Sequence, residues 1–413
     1  MRENDIVFFN LHRRYLDRAP DYGGFLGIYI LAAFVNENGY RGQAFEGTLK
    51  AGLKLVDELC QKKKIHILGL YCDYANVTEN QYISQYVKGK YGIPVFVGGP
   101  QATSLKADFM CLSKCDVIVR YEGELTVLEL MDFFLDGTGT LANILGIAYC
   151  MDNKFVVNPN RPEIENLDAL PFISDECYLE TRKNQYELSI MTGRGCPFHC
   201  SFCHEGHHTR KVRFRSIENV LAEIDMFIQS KPPESNCYIL FTDDTFTLDE
   251  KRVHELCKGL KERRKKHNFI WFCEGHIHTL MLHQKMINDM AEAGLQRIQL
   301  GIEAGTQQVL DAYHKNTTLE EIKEVVQCCR DAGIQQIYGN IILGSAFFSK
   351  ETYAKDLAFG KELLTLGQGS LELGIVSYWP LPETSITESP EKYSLKIIDP
   401  YFFTSIDDFP QSE

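Results

Sequence analysis

The sequence is short of positive charge. Lys and Arg number 43 against 56 Asp and Glu, for a formal net charge of −13, so it offers no electropositive face on the scale a nucleic-acid backbone requires. The one basic run, Lys261 to Lys266 (KERRKK), closes a predicted helix, where a solvated face is the ordinary role. Long apolar runs are also missing. Gly24 to Val35 is too short to span a bilayer and reads as a buried helix, and the opening MRENDIVFFN lacks the layout of a signal peptide. Cysteine is plentiful at 14, but the spacing of most of them shows no secreted disulfide framework. Cys111 and Cys115 have no further ligand nearby and read as helix packing. A cytoplasmic protein with no membrane or nucleic-acid partner is expected. At 413 residues, 44% hydrophobic and 24% charged, the chain is long enough for two or three domains, each with its own core.

One stretch concentrates three cysteines: MTGRGCPFHCSFCHEG, Met191 to Gly206, with Cys196, Cys200 and Cys203 in the spacing C-x3-C-x2-C. Three thiolates are one short of a closed zinc or iron–sulfur site, and a cubane held by three leaves one iron open. Gly193, Gly195 and Pro197 make the stretch a loop, and Tyr186–Met191 before it reads as a strand. A zinc knuckle is the alternative, because His199, His204, His207 and His208 lie close by. The loop, Thr192 to Pro197 followed by Cys200-Ser201-Phe202-Cys203, closely resembles the cluster loop of radical S-adenosylmethionine (SAM) enzymes. The resemblance implies a 4Fe–4S cluster on Cys196, Cys200 and Cys203 whose fourth iron chelates SAM, with Phe202 beside it.

Residues 1–150 alternate short apolar runs with amphipathic ones, as in a parallel sheet covered by helices. Five strands, Asp5–Asn10, Gly42–Phe45, Ile65–Tyr71, Pro94–Val97 and Val117–Tyr121, give a flavodoxin-like α/β layer fold with its ligand at the strands' carboxyl ends. Two segments, VFVGGPQATSL (Val95 to Leu105) and DVIVRYEGELTVLEL (Asp116 to Leu130), ahead of the cluster loop, resemble the cobalamin-binding domain that precedes the barrel in one radical SAM subfamily. That implies cobalamin contacts at Gly98, Gly99, Gln101, Thr103, Glu122, Gly123 and Glu124. The Asp-x-His-x-x-Gly signature that supplies cobalt with a histidine is absent, and Gln101 stands where many members have histidine. The expected cobalamin therefore has no histidine ligand from the protein. Residues 151–185, rich in turn formers, read as a linker.

From 186 to 384 strand–helix units recur at larger scale and fit an open (β/α)6 partial TIM barrel, with chemistry at the strands' carboxyl ends. The candidates fall there: Asp243 and Asp244 after the second strand, Glu274 and His276 after the third, Glu303 in LGIEAG after the fourth, Ile341 in the fifth, and Pro382 in the loop after the last. The family resemblance implies that Asp243, Asp244, Glu274, Glu303, Ile341 and Pro382 contact SAM. An Asx turn capping the next helix is the alternative for the Asp243-Asp244 pair. Arg213 and Arg215 either position the cluster loop or lie on the surface. Glu383 stands where the family usually has Gly. The segment 385–413 reads as a short tail, so a substrate or carrier protein or peptide is expected to complete the enclosure.

The activity implied is that of a cobalamin-dependent radical SAM C-methyltransferase, in which a 5′-deoxyadenosyl radical removes hydrogen from an unactivated carbon. A radical cyclisation, ring rearrangement or oxidation without net methyl transfer is the alternative. The implied partners are a small-molecule or peptide substrate and an electron donor such as flavodoxin or ferredoxin.

Overall fold

A computed structural model describes residues 3–12, 26–180, 186–204 and 211–397. His207, His208 and the tail beyond 397 lie outside the described residues. The chain divides into two compact units: the described residues up to Glu165 and from Ala169 to 180 form one, and Asn166–Asp168 with the described residues of 186–397 form the other.

In the first unit β1 (Asn4–His12), α1 (Leu26–Glu37), β2 (Gly42–Thr48), α2 (Leu49–Gln61), β3 (Ile65–Tyr71), α3 (Val77–Lys90), β4 (Val95–Gly98), α4 (Pro100–Leu105), α5 (Ala107–Ser113), β5 (Val117–Val119) and α6 (Glu124–Asp136) alternate along the chain. The parallel strands lie in the order β2-β1-β3-β4-β5, the flavodoxin-like order expected. Both faces being covered explains why the middle of β1, Ile6 to Phe9, is a continuous apolar run. Val7, Phe9 and Leu11 enter a core with Val56 and Leu59 of α2 and Ile83 and Val87 of α3. Ile6 and Phe8 enter the opposite core with Ile28 and Ala32 of α1 and Leu130 of α6. Parallel strands covered on both faces need apolar residues at every position, and each buried one contributes roughly 1.5–3 kcal/mol.

The segment expected as a linker begins within a hairpin and is otherwise mostly irregular among its described residues. A hairpin, β6 (Ile147–Met151) and β7 (Lys154–Val157), adds two antiparallel strands beyond β5. Its turn places Asp152 and Asn153 at φ 51° and 60°, as a two-residue hairpin requires. Further on, the Leu179 amide donates to the Ala44 carbonyl at 2.9 Å, tying this segment to β2. The first unit therefore extends past residue 150.

The second unit runs β8 (Glu187–Ile190), β9 (Gly193–Arg194), β10 (Arg213–Phe214), α7 (Ile217–Gln229), β11 (Cys237–Phe241), α8 (Glu250–Arg264), β12 (Phe269–Gly275), α9 (Ile277–Leu282), α10 (Gln284–Glu292), β13 (Leu295–Glu303), α11 (Gln307–Ala312), α12 (Leu319–Asp331), β14 (Gln336–Leu343), α13 (Lys350–Gly367), β15 (Leu371–Ser377) and α14 (Ser385–Glu388). Six parallel strands lie in the order β15-β14-β13-β12-β11-β8, an open partial barrel. Phe269, Trp271 and Cys273 of β12 enter the single core of this unit. Alternation turns Ile270, Phe272 and Glu274 to the other face, where they are half-buried. Ser216 caps α7 as expected, accepting from the Asn219 amide at 3.1 Å. No described helix is long and apolar enough to cross a membrane.

Candidate active site

The cysteine loop leaves β8 and is fixed at its root by polar contacts. Asp243 is buried and accepts from the Thr192 amide at 2.6 Å and from the Thr192 hydroxyl. Burial pushes its carboxyl up, and the Thr192 bonds oppose that rise. Arg215, 5% exposed, donates to the Met191 carbonyl at 2.8 Å and to Glu223 at 2.6 Å, while the Arg252 guanidinium reaches the Thr192 carbonyl at 3.1 Å. Arg213 is equally buried. These arginines position the loop and are not a surface feature. Asp243 is engaged with the loop root, which leaves the exposed Asp244 as the acid of this pair facing away from the core.

The rest of the loop is anchored after two strands and at the end of α11. The Cys196 thiol lies 3.7 Å from the Thr245 hydroxyl after β11. Phe198 stacks on His276 after β12, ring centroids 3.8 Å apart and nearly parallel at 9°. Ser201 is fully buried. Its amide donates to the Tyr313 carbonyl and its hydroxyl to the Ala312 carbonyl, both at 2.9 Å. Phe202 meets Tyr313 edge to face at 4.8 Å. Cys200 is buried, Cys196 and Cys203 are half-buried, and none of the three is in a disulfide. Three cysteine sulfurs on one loop are the donor set of a cluster with an open iron.

Carboxylates line the strand ends beside this loop. Glu274 ends β12 and accepts from Gln299 at 3.1 Å. Glu303 ends β13 with φ 65°, at a register shift between β13 and β14. It pairs with Lys315 at 2.9 Å, both side chains about one-tenth exposed. Ile341 points into the core, leaving only its backbone for a ligand. The Pro382 carbonyl lies 3.5 Å from His204 Nδ1. The next residue, Glu383, has φ 59°, the conformation that favours glycine at this position.

Glu274 gives the site a pH signature. Burial first, then the charges of Asp244 and Glu303, push its carboxyl from 4.5 up to about 7. Between those values the folded chain holds a proton that the unfolded chain has released, so this group lowers stability as pH rises through that window. His276 acts in the opposite sense: burial holds it at about 3 against 6.5, so its contribution is lost as pH falls through that window. In the ligand-free chain, Glu274→Gln is expected to raise thermal stability more at about pH 7 than at about pH 5. An equal change at both pH values would contradict this placement of Glu274.

At the carboxyl ends of the first unit's strands, Gly99 has φ 99° and precedes α4, and Gln101 and Thr103 are buried. Glu122 accepts from the Ile164 amide at 2.7 Å, and Gly123 and the buried Glu124 begin α6. Sequence reasoning missed the neighbouring polar group. Asn76 donates to Asn10 at 3.1 Å, and Asn80 donates to Asn76 at 2.8 Å. The buried Gln81 Nε2 and Ser84 Oγ have no hydrogen-bond partner. The run NVTENQ gave the signal, since so polar a helix start has no reason to be buried unless something polar meets it.

The model of the Radical SAM superfamily matches residues 190–351. An uncharacterised methyltransferase from Pyrococcus horikoshii is 30% identical over 349 residues, 82% of this chain and 73% of that protein. The anaerobic magnesium-protoporphyrin IX monomethyl ester cyclase of Rubrivivax gelatinosus is 32% identical over 226 residues, 53% of this chain but only 40% of its own length. Among solved structures, the radical SAM methyltransferase TsrM from Kitasatospora setae, with cobalamin and a 4Fe–4S cluster bound, shares the fold. Its TM-score is 0.75 at 16% identity, over 94% of this chain and 78% of that one. The cysteine loop at the first strand of an open six-stranded barrel thus has its counterpart in a known group: this chain belongs to the radical SAM superfamily.

Proposed function

We propose that this chain is a cobalamin-dependent radical SAM C-methyltransferase acting on an unactivated carbon of a small molecule, fed by a low-potential electron donor of the flavodoxin or ferredoxin kind in the cytoplasm. The observation that carries the reading is the loop of three cysteines, anchored from the residues after β11 and β12 and from the end of α11. When bound, the cluster with SAM supplies one-electron cleavage chemistry and cobalamin supplies a transferable methyl group.

The chain's own residues do the holding. Cys196, Cys200 and Cys203 ligate three irons. Asp244 and Glu274 offer negative charge to the ammonium group of SAM, and the Asn340–Ile341 backbone and Pro382 border the adenosine. The Phe198–His276 stack holds the loop rigid and keeps water from its inner side. In the first unit, Gly99 lets backbone approach a corrin edge. Gln81 and Ser84, buried with unpaired polar atoms, fit a ligand as rich in amide groups as cobalamin.

The test uses SAM with a deuterated methyl group on the anaerobically reconstituted chain, with cobalamin and candidate acceptors. Methyl transfer predicts 5′-deoxyadenosine and S-adenosylhomocysteine together with a deuterated product. The relative named as a cyclase supports a second reading, cyclisation, rearrangement or oxidation, which predicts 5′-deoxyadenosine without matching S-adenosylhomocysteine. Absence of cobalamin binding contradicts the first reading.

A further inference from the structure

Lys315 is buried at 8% exposure, and no sequence motif singles it out. Three independent features fix it. Its neighbours His314 and Asn316 both have left-handed backbones, φ 54° and 52°, so the chain accepts two unfavourable conformations to place one side chain. Its ammonium donates to Glu303 at 2.9 Å, and Glu303 is itself left-handed at φ 65°. Finally, Gly301 leaves room for the pair: a Cβ there would collide with both Lys315 Nζ and Glu303 Oε1. A surface salt bridge requires none of this.

The charge also sits beside the cysteine loop. Lys315 Nζ lies 5.9 Å from the centre of the Phe202 ring, between Cys200 and Cys203 in sequence. Two residues before Lys315, the Tyr313 carbonyl accepts from the Ser201 amide at 2.9 Å, which ties the Lys315 segment to the stretch that carries both cysteines. A buried pair that is costly to desolvate is retained where it performs a task beyond stability.

The geometry points to Lys315 as a positioning residue for charge: its ammonium, held by Glu303, raises the reduction potential of the cluster on Cys196, Cys200 and Cys203, so that a cellular one-electron donor can reduce it. This rests on the functional reading above. One electron entering the cluster adds one negative charge, and a fixed cation beside the thiolates stabilises that reduced form. Net charge and the groups around the sulfurs are among the determinants of such potentials.

The experiment is a redox titration of the reconstituted holoprotein without SAM, followed by electron paramagnetic resonance, after iron content has been measured. At the potential where the wild type is half-reduced, Lys315→Met is expected to lower the reduced-to-oxidised ratio about tenfold, ~59 mV for a one-electron couple. Glu303→Gln removes the opposing charge and shifts the ratio the other way. Lys315→Arg retains the wild-type midpoint within about a factor of three, on the same scale. Opposite shifts cannot come from general loosening of the fold. An unchanged midpoint in Lys315→Met at full iron content, or shifts of the same sign in Lys315→Met and Glu303→Gln, overturns the proposal. Should Lys315→Met fail to fold, Glu303→Gln decides alone: a raised midpoint supports the proposal and an unchanged or lowered one refutes it. A wild-type chain that takes up no iron overturns the functional reading itself, and iron content reveals this before any potential is measured.

Discussion

Replacing Cys200 by alanine is expected to abolish cluster assembly while leaving the fold intact. The side chain is small and buried, and the loop around it keeps its other anchors: Ser201 on Ala312 and Tyr313, Phe198 on His276, and Thr192 on Asp243. The β8–β11 pairing does not involve it. What is lost is one of three iron ligands. Outer-shell groups alone are worth about 10–100-fold in metal affinity or activity, so a direct ligand should cost at least about 100-fold in SAM cleavage. Iron analysis and circular dichroism on the same sample check both halves. An unchanged iron content would remove Cys200 from the ligand set.

Gly99→Val is the second large effect, in the other unit. Gly99 has φ 99° and ψ 169°, a region essentially reserved for glycine. A Cβ there would lie 2.5 Å from the Cys72 carbonyl oxygen and 2.9 Å from its amide nitrogen. Those are backbone atoms already engaged, the amide with Gly98 and the carbonyl with Gln101, so they cannot move aside without opening the β3–β4 edge. Strain alone costs about 1–3 kcal/mol, and the clash adds to it. A loss of about 3 kcal/mol corresponds to a fall of roughly 6–12 °C in melting temperature for a unit of this size, and cobalamin binding should be lost with it. Gly89 is the control. It lies in α3 with nothing within 4 Å of its would-be Cβ, so Gly89→Ala should gain about 0.5–1 kcal/mol. Equal melting temperatures for Gly99→Val and wild type would contradict the account of this turn.

Much of this was legible because strand and helix periods differ and the barrel units are long. β3 begins and ends where the pattern placed it, at Ile65 and Tyr71. Short elements left weaker traces. α9 and α11, six residues each, are too brief for a helical stripe to emerge. α2 did leave a stripe, Leu49, Leu53, Val56 and Leu59 at helical spacing, which the strand pattern on either side overshadowed. The β6–β7 hairpin was hidden by a turn, Asp152-Asn153, without the usual glycine. At the site, strand ends located the carboxylates, but alternation alone did not show that Asp243 turns inward to Thr192 while Asp244 does not. The Lys315–Glu303 pair was invisible, since twelve residues separate the partners and a fold is needed to join them. Glu383 was the reverse case: the family's glycine at that position was a correct sign of a left-handed backbone.

The central claim is that three thiols of one loop hold an iron–sulfur cluster that cleaves SAM. Its most direct measurement is 5′-deoxyadenosine produced by the anaerobically reconstituted, chemically reduced wild-type chain, quantified beside its iron content. The account predicts close to four irons per chain and accumulating 5′-deoxyadenosine that disappears in Cys200→Ala. A chain that carries the iron, is reduced, and leaves SAM whole would contradict it.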